Sequence, residues 1–172
     1  MKSILYLHGL ESSNICDKVD FLKENANVVA PSIDYSDSGL EEKLFYIVEK
    51  FEPDVIIGSS MGGYVGMMLA NKYGIDCVLF NPAIHSRPME PNLKSLIYDE
   101  PKHSLNSVVV LGLEDDVIDP SKTEDILEQV EFDCEIERVE EMGHRVPFDV
   151  FVNICFIKYL TLLSTFFLSK LI

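Results

Sequence analysis

Six short, mainly apolar runs, at residues 4–7, 27–30, 54–57, 77–80, 108–111 and 134–139, recur along this chain with longer stretches between them. Runs of this length suit strands better than helices, and continuous apolar character suits strands covered on both faces. The intervening segments 15–24, 39–51, 61–73 and 121–130 have helical character. In the second of these, Leu40, Leu44, Ile47, Val48 and Phe51 recur three and four apart, opposite Glu41, Glu42, Lys43, Glu49 and Lys50. Gly74 stands where a left-handed residue ends the third. Asp119 precedes Pro120 at the start of the fourth, a capping residue followed by a ring pre-set for the first helical position. Strands alternating with helices, with no hairpin signal, imply an α/β fold on a mainly parallel sheet. A length of 172 residues fits one core, so residues 1–172 are read as a single domain. Such sheets bind ligands outside the carboxyl ends of their strands, which directs attention to the residues after each apolar run.

Charge narrows the function classes. Fourteen Lys and Arg against 29 Asp and Glu give a formal net charge of -15, which repels phosphate backbones and anionic headgroups, so no nucleic-acid partner is expected. Cys16, Cys77, Cys134 and Cys155 form no C-x-x-C pair and read as buried thiols, neither a disulfide framework nor a zinc site. The first apolar run ends at His8-Gly9, too short for the apolar region of a signal peptide, and a cytoplasmic location is the expectation. Residues 81–106 carry Pro82, Pro88, Pro91 and Pro101 between two expected strands and read as a lid-like insertion. Residues 150–172 are very apolar, but Lys158 and Lys170 bracket only eleven uncharged residues, against the roughly 20 a bilayer core requires. A final helix covering the sheet is the expectation there. The extension 161–172 offers a homodimer contact or a membrane-surface contact as alternatives.

The chemistry is concentrated after three strands. Gly58-Ser59-Ser60-Met61-Gly62 is a G-x-S-x-G at a strand-to-helix junction, where a serine on a sharp turn forces its neighbours two before and two after to lack a Cβ. A Gly-rich packing turn is the competing reading. Phosphate binding is disfavoured, since neither the P-loop lysine nor the dinucleotide glycine spacing is present. A serine needs a base, and His144, in the loop after the last strand, is the best placed of four histidines. His85 and His103 fall in the insertion and read as surface or lid residues, while His8 with Gly9 suggests a backbone role. The acid that orients the imidazole is sought in Glu114-Asp115-Asp116, with Asp119 set aside as a helix cap. The order Ser60, then Asp115 or Asp116, then His144 is that of α/β-hydrolases. Because His144 must be neutral to accept a proton, activity is expected to fall as pH drops through the imidazole range, about 6.5 for an unperturbed side chain.

With these residues in view, the chain resembles the YqiA-like esterases of the α/β-hydrolase superfamily. The matching stretches are Leu5-Tyr6-Leu7-His8-Gly9-Leu10-Glu11-Ser12-Ser13, Gly58-Ser59-Ser60-Met61-Gly62-Gly63-Tyr64, Phe80-Asn81-Pro82-Ala83-Ile84 and Gly143-His144. The resemblance implies an α/β-hydrolase fold and a serine esterase or thioesterase that acts on a small-molecule acyl ester or thioester without metal or organic cofactor. Its G-x-x-D-x-x-[VI] pattern implies Asp115 as the acid, with Asp116 the nearest rival. It further implies an oxyanion hole from the backbone N–H groups of Met61 and Leu10. Arg87 and Arg145 are the nearest cations for an anionic substrate. The alternatives are a non-catalytic hydrolase-fold protein that binds through residues 81–106, and a metal-dependent hydrolase using His8 and His144, which lacks any H-E-x-x-H spacing.

Overall fold

The structure, a computed structural model, describes residues 1–93 and 106–160. Six strands, β1 (Ser3–Leu7), β2 (Asn27–Val29), β3 (Val55–Ser59), β4 (Asp76–Phe80), β5 (Val108–Gly112) and β6 (Glu135–Val139), pair in the order β2-β1-β3-β4-β5-β6. Every pairing is parallel. The helices α1 (Asp17–Asn25), α2 (Leu40–Phe51), α3 (Met61–Tyr73), α4 (Pro120–Gln129) and α5 (Phe148–Cys155) supply the crossovers and the cover, and a π turn (Phe156–Leu160) follows α5.

Successive side chains of a strand point to opposite faces, so each central strand feeds two cores. Leu5, Leu7, Ile56, Leu79 and Val109 pack with Leu40, Leu44 and Val48 of α2, Val65 and Leu69 of α3 and Leu127 of α4. Ile4, Tyr6, Val55, Ile57, Val78 and Phe80 pack on the other face with Val19 and Leu22 of α1 and Phe151 and Cys155 of α5. This two-sided burial is why β3 and β5 read as unbroken apolar runs. At the sheet edge β6 is only half covered, and its sequence alternates with Glu135, Glu137 and Arg138.

Local signals act where their chemistry predicts. The Asp119 carboxylate accepts from the N–H groups of Ser121 and Lys122 at the start of α4, and Gly74 closes α3 at φ 68. None of the four cysteines forms a disulfide; Cys77 and Cys155 are buried and Cys16 and Cys134 half-buried, so the expectation of buried thiols holds only for the first pair. Burial pushes the Cys77 thiol up to about 12. Of the insertion, residues 81–93 are described and run from β4 to the buried Leu93, and Asn92 donates to the Ser38 carbonyl near α2. Its remainder to residue 105, with His103, lies outside the described residues, as does the extension 161–172. The chain before that extension does cover the sheet: Phe151 packs on Phe80 at 5.2 Å between ring centroids, and Lys158 bridges Glu135 and Glu137 of β6. Among the described residues no helix is long and apolar enough to cross a membrane.

Candidate active site

The strand order reverses direction at β1, which has β2 on one side and β3 on the other, and the loops leaving β1 and β3 diverge at their carboxyl ends. Ser60 sits there, between β3 and α3, at φ 53 and ψ -118. A non-glycine residue with positive φ is strained and persists only where its surroundings hold it. Here the holding is visible. The Ser60 N–H donates to the Phe80 carbonyl at 2.9 Å, and its own carbonyl accepts from Tyr64 at 3.0 Å and Ala83 at 3.0 Å. The flanking glycines answer to contact. A Cβ on Gly58 would lie 2.3 Å from the Gly62 carbonyl oxygen, and one on Gly62 would lie 2.1 Å from that of Leu7. Close docking of α3 on β1 and β3, which turns the serine outward, requires both.

His144, from the loop after β6, meets the serine: its Nε2 is 3.1 Å from Ser60 Oγ, and its Nδ1 is 2.8 Å from Asp115 Oδ2. The carboxylate of Asp115 is wholly shielded from solvent, and its other oxygen accepts from the N–H groups of Val117 and Ile118, both at 2.8 Å. A carboxylate only accepts, so the Nδ1 of His144 carries the proton and donates, and Nε2 presents its lone pair to the Ser60 hydroxyl. The neighbouring Asp116 is exposed. The three side chains thus form a hydrogen-bonded row from a buried carboxylate to a serine hydroxyl, with the imidazole half-buried at 23% exposure.

A groove of about 790 Å³ opens over this row. Gly9, Leu10 and Met61 line it with Ser60, together with Tyr6, Lys18, Ala83, Pro88, Val117 and Ile118. The loop after β1 lies against the serine, since a Cβ on Gly9 would stand 3.3 Å from Ser60 Cβ. Met61 is the first residue of α3, where helix geometry leaves N–H groups without intrahelical acceptors. The loop carrying Leu10 is pinned by His8, which is 4% exposed. Ile33 donates its N–H to His8 Nε2 at 3.0 Å, so the proton sits on Nδ1, which donates to the Gly9 carbonyl at 2.7 Å. The Tyr35 hydroxyl donates to the His8 carbonyl at 2.5 Å. Both ring nitrogens are therefore occupied by backbone, so His8 is a strut and has no lone pair left for a metal. Among the described residues no group of three His, Cys, Asp or Glu side chains is placed to hold one.

The cations divide. Arg87 lines the groove but is committed elsewhere: it pairs with Glu90 at 2.7 Å, donates to the carbonyls of Ala83 and Ile84, and stacks 4.1 Å above the Tyr64 ring. As a candidate cation for an anionic substrate it therefore reaches the groove already paired with a carboxylate. Arg145 is exposed on the rim, next to His144. Lys18 donates to the Val146 carbonyl at 2.7 Å, and burial holds its ammonium below the usual lysine range. His85 points away into a contact with the Asp119 carbonyl at 3.1 Å. Two residues join the site that composition and spacing leave without a part, Tyr35 and Asn81. The position of Asn81 directly after β4 was the available signal for it.

Comparison with known proteins agrees with this architecture. A family model described as an uncharacterised protein family, UPF0227, matches residues 3–93, more than half of the chain. Among solved structures, a protein of the alpha/beta hydrolase superfamily from Xanthomonas campestris pv. campestris is similar at TM-score 0.67 and 17% identity, over 96% of this chain and 99% of that one. Mouse alpha/beta hydrolase domain-containing protein 10 gives TM-score 0.67 and 13% identity, over 90% and 87%. An S-formylglutathione hydrolase from Agrobacterium tumefaciens gives TM-score 0.64 and 16% identity, over 92% and 82%. At these identities the likeness is one of fold.

Proposed function

The chain belongs to the UPF0227 family, the YqiA-like esterases of the α/β-hydrolase superfamily, and on that premise we propose that it is a serine hydrolase of carboxylic esters or thioesters. The observation that carries this reading is the hydrogen-bonded row, with 3.1 Å from Ser60 to His144 and 2.8 Å from His144 to Asp115, at the floor of an open groove. A scaffold that only binds has no physical need for a shielded carboxylate aimed at an imidazole aimed at a strained serine.

In this mechanism Ser60 Oγ attacks the acyl carbonyl carbon as His144 Nε2 takes its proton. The carbonyl oxygen becomes an oxyanion, met by the N–H groups of Met61 and Leu10, a type of contact worth about 2.7–4 kcal/mol per donor in a comparable enzyme. The bond from carbon to the leaving oxygen or sulfur then breaks, and His144 returns the proton to the departing alcohol or thiol. Water enters, gives a proton to His144 and attacks the acyl carbon, and the serine leaves with that proton as the acid product departs. Asp115 stays ionised throughout and stabilises the imidazolium each time it forms. A groove of about 790 Å³ beside Ser60 suits small or flexible acyl groups.

Hydrolysis of p-nitrophenyl esters of increasing acyl length tests this. A burst of p-nitrophenol matching one enzyme equivalent, lost in Ser60→Ala, is expected for at least the short esters. Turnover that persists in Ser60→Ala would overturn the acyl-serine route.

A further inference from the structure

Phe80-Asn81-Pro82-Ala83, which begins with the last residue of β4, takes no part in the bond changes above, yet this short stretch touches all three loops that carry them. Its outer residues hold the serine: the Phe80 carbonyl accepts the Ser60 N–H at 2.9 Å and the Ala83 N–H donates to the Ser60 carbonyl at 3.0 Å. Its central side chain reaches the other two loops. Asn81 Oδ1 accepts from the Gly112 N–H at 2.8 Å, at the start of the turn whose closing bond runs from the Asp115 N–H to the Gly112 carbonyl at 3.2 Å. Asn81 Nδ2 donates to the carbonyls of Gly143 at 3.0 Å and His144 at 3.2 Å.

From this geometry we infer that Asn81 is a positioning residue, one side chain that fixes the acid loop and the base loop against the serine elbow and so sets the Ser60–His144–Asp115 geometry. The residue type follows from the demands on it. The position is 1% exposed and has φ 43, a left-handed conformation that asparagine tolerates better than most side chains. The site needs an acceptor for one N–H and donors for two carbonyls within a single short group. An amide supplies both, a carboxylate has no donor, and an alkyl side chain has neither. The two loops also meet directly here, since a Cβ on Gly112 would lie 2.3 Å from the Met142 carbonyl oxygen and Glu114 donates to that same oxygen at 3.0 Å. Release of the asparagine bonds therefore frees the base loop to shift relative to Ser60 while Asp115 and His144 keep their identities. Asn81 does not line the groove, so its influence falls on the chemical step and spares substrate binding.

This inference rests on the serine-hydrolase reading, and its test separates the two. Wild type, Asn81→Gly and Asn81→Asp are compared by circular dichroism, by the second-order rate of fluorophosphonate labelling, and by kcat and KM on a short p-nitrophenyl ester. Glycine keeps the left-handed backbone and removes every side-chain bond, whereas aspartate keeps the acceptor for Gly112 and removes the donors to the base loop. Misplacement of reacting groups by about 1 Å costs on the order of 100-fold. Both variants are expected to fold, to label about 10- to 100-fold more slowly, and to lose kcat by a similar factor with KM within about twofold of wild type. Folded variants that label and turn over within about twofold of wild type would overturn the inference. So would a rise in KM at constant kcat, or loss of the fold in both, which assigns Asn81 to the scaffold alone. A wild type that neither labels nor turns over ester rejects the serine-hydrolase reading itself.

Discussion

Replacement of Asp115 by asparagine separates the chemistry of the row from the stability of its surroundings. Asp115 makes two kinds of contact: one oxygen accepts from Val117 and Ile118, and the other accepts from His144. In Asp115→Asn the amide oxygen still serves the two backbone N–H groups. The amide nitrogen then faces His144 as a donor, and the imidazole must present its lone pair at Nδ1 and carry its proton on Nε2. Ser60 now meets an N–H in place of an acceptor, so its proton has nowhere to go. Such a tautomer reversal costs about 10⁴ in kcat, or about 5.4 kcal/mol at 1.36 kcal/mol per decade. Asp115→Ala differs in kind. It strands the buried Ile118 N–H, at about 1–3 kcal/mol, and the half-buried Val117 N–H, which adds less, and for a chain of this size each kcal/mol moves Tm by about 2–4 °C. The assay is kcat on a p-nitrophenyl ester beside thermal melts of both variants. Asp115→Asn is expected to lose about four decades of kcat with Tm lower by no more than about 4 °C, and Asp115→Ala to lose activity and at least that much Tm. An asparagine variant that keeps more than about a tenth of wild-type kcat would refute the orientation of His144 by Asp115.

Gly62→Ala places a methyl group 2.1 Å from the Leu7 carbonyl, so α3 must lift from β1. A loss of Tm and of ester turnover is expected, whereas Gly143→Ala, with its nearest atom at 3.5 Å, leaves Tm within about 2 °C. Arg145→Ala is expected to lower kcat/KM several-fold on an ester with a negatively charged acyl group and to spare a neutral one. The difference should shrink as salt rises from about 10 to 500 mM, and equal effects on both substrates would contradict it. Hydrogen bonds from the backbone N–H and hydroxyl of Ser3, at 2.7 and 2.9 Å, hold the Asp54 carboxyl below its ordinary value of 3.8. The ionised form is therefore favoured by folding. Its stabilisation is present above pH 3.8 and is lost as pH falls through the lower folded value, so the Tm deficit of Asp54→Asn should exist at pH 6 and close below pH 3.8. A deficit that is constant with pH would assign it to packing.

The sheet was legible because its strands are buried on both faces. Residues 54–57 and 108–111 read as interior strands, and their observed limits, Val55–Ser59 and Val108–Gly112, differ from those runs by one or two residues at the ends. Ser60 and its glycines were legible because their constraint is steric and local. Residues far apart in sequence were harder. Between Asp115 and Asp116 the residues alone do not decide, and only the turn that buries one of them does so. The commitment of Arg87 to Glu90 is a pairing that composition does not encode. Asn81 carried a visible motif but no visible task, since its reach to Gly112 and His144 depends on strand ends that only the sheet order brings together.

The most direct test of the account is intact-mass analysis after reaction with a fluorophosphonate probe. One adduct is expected, mapped to Ser60, absent in Ser60→Ala and much slower to form in His144→Ala. A folded wild-type protein that takes no adduct, or takes it at another residue, would contradict the assignment of Ser60 as nucleophile.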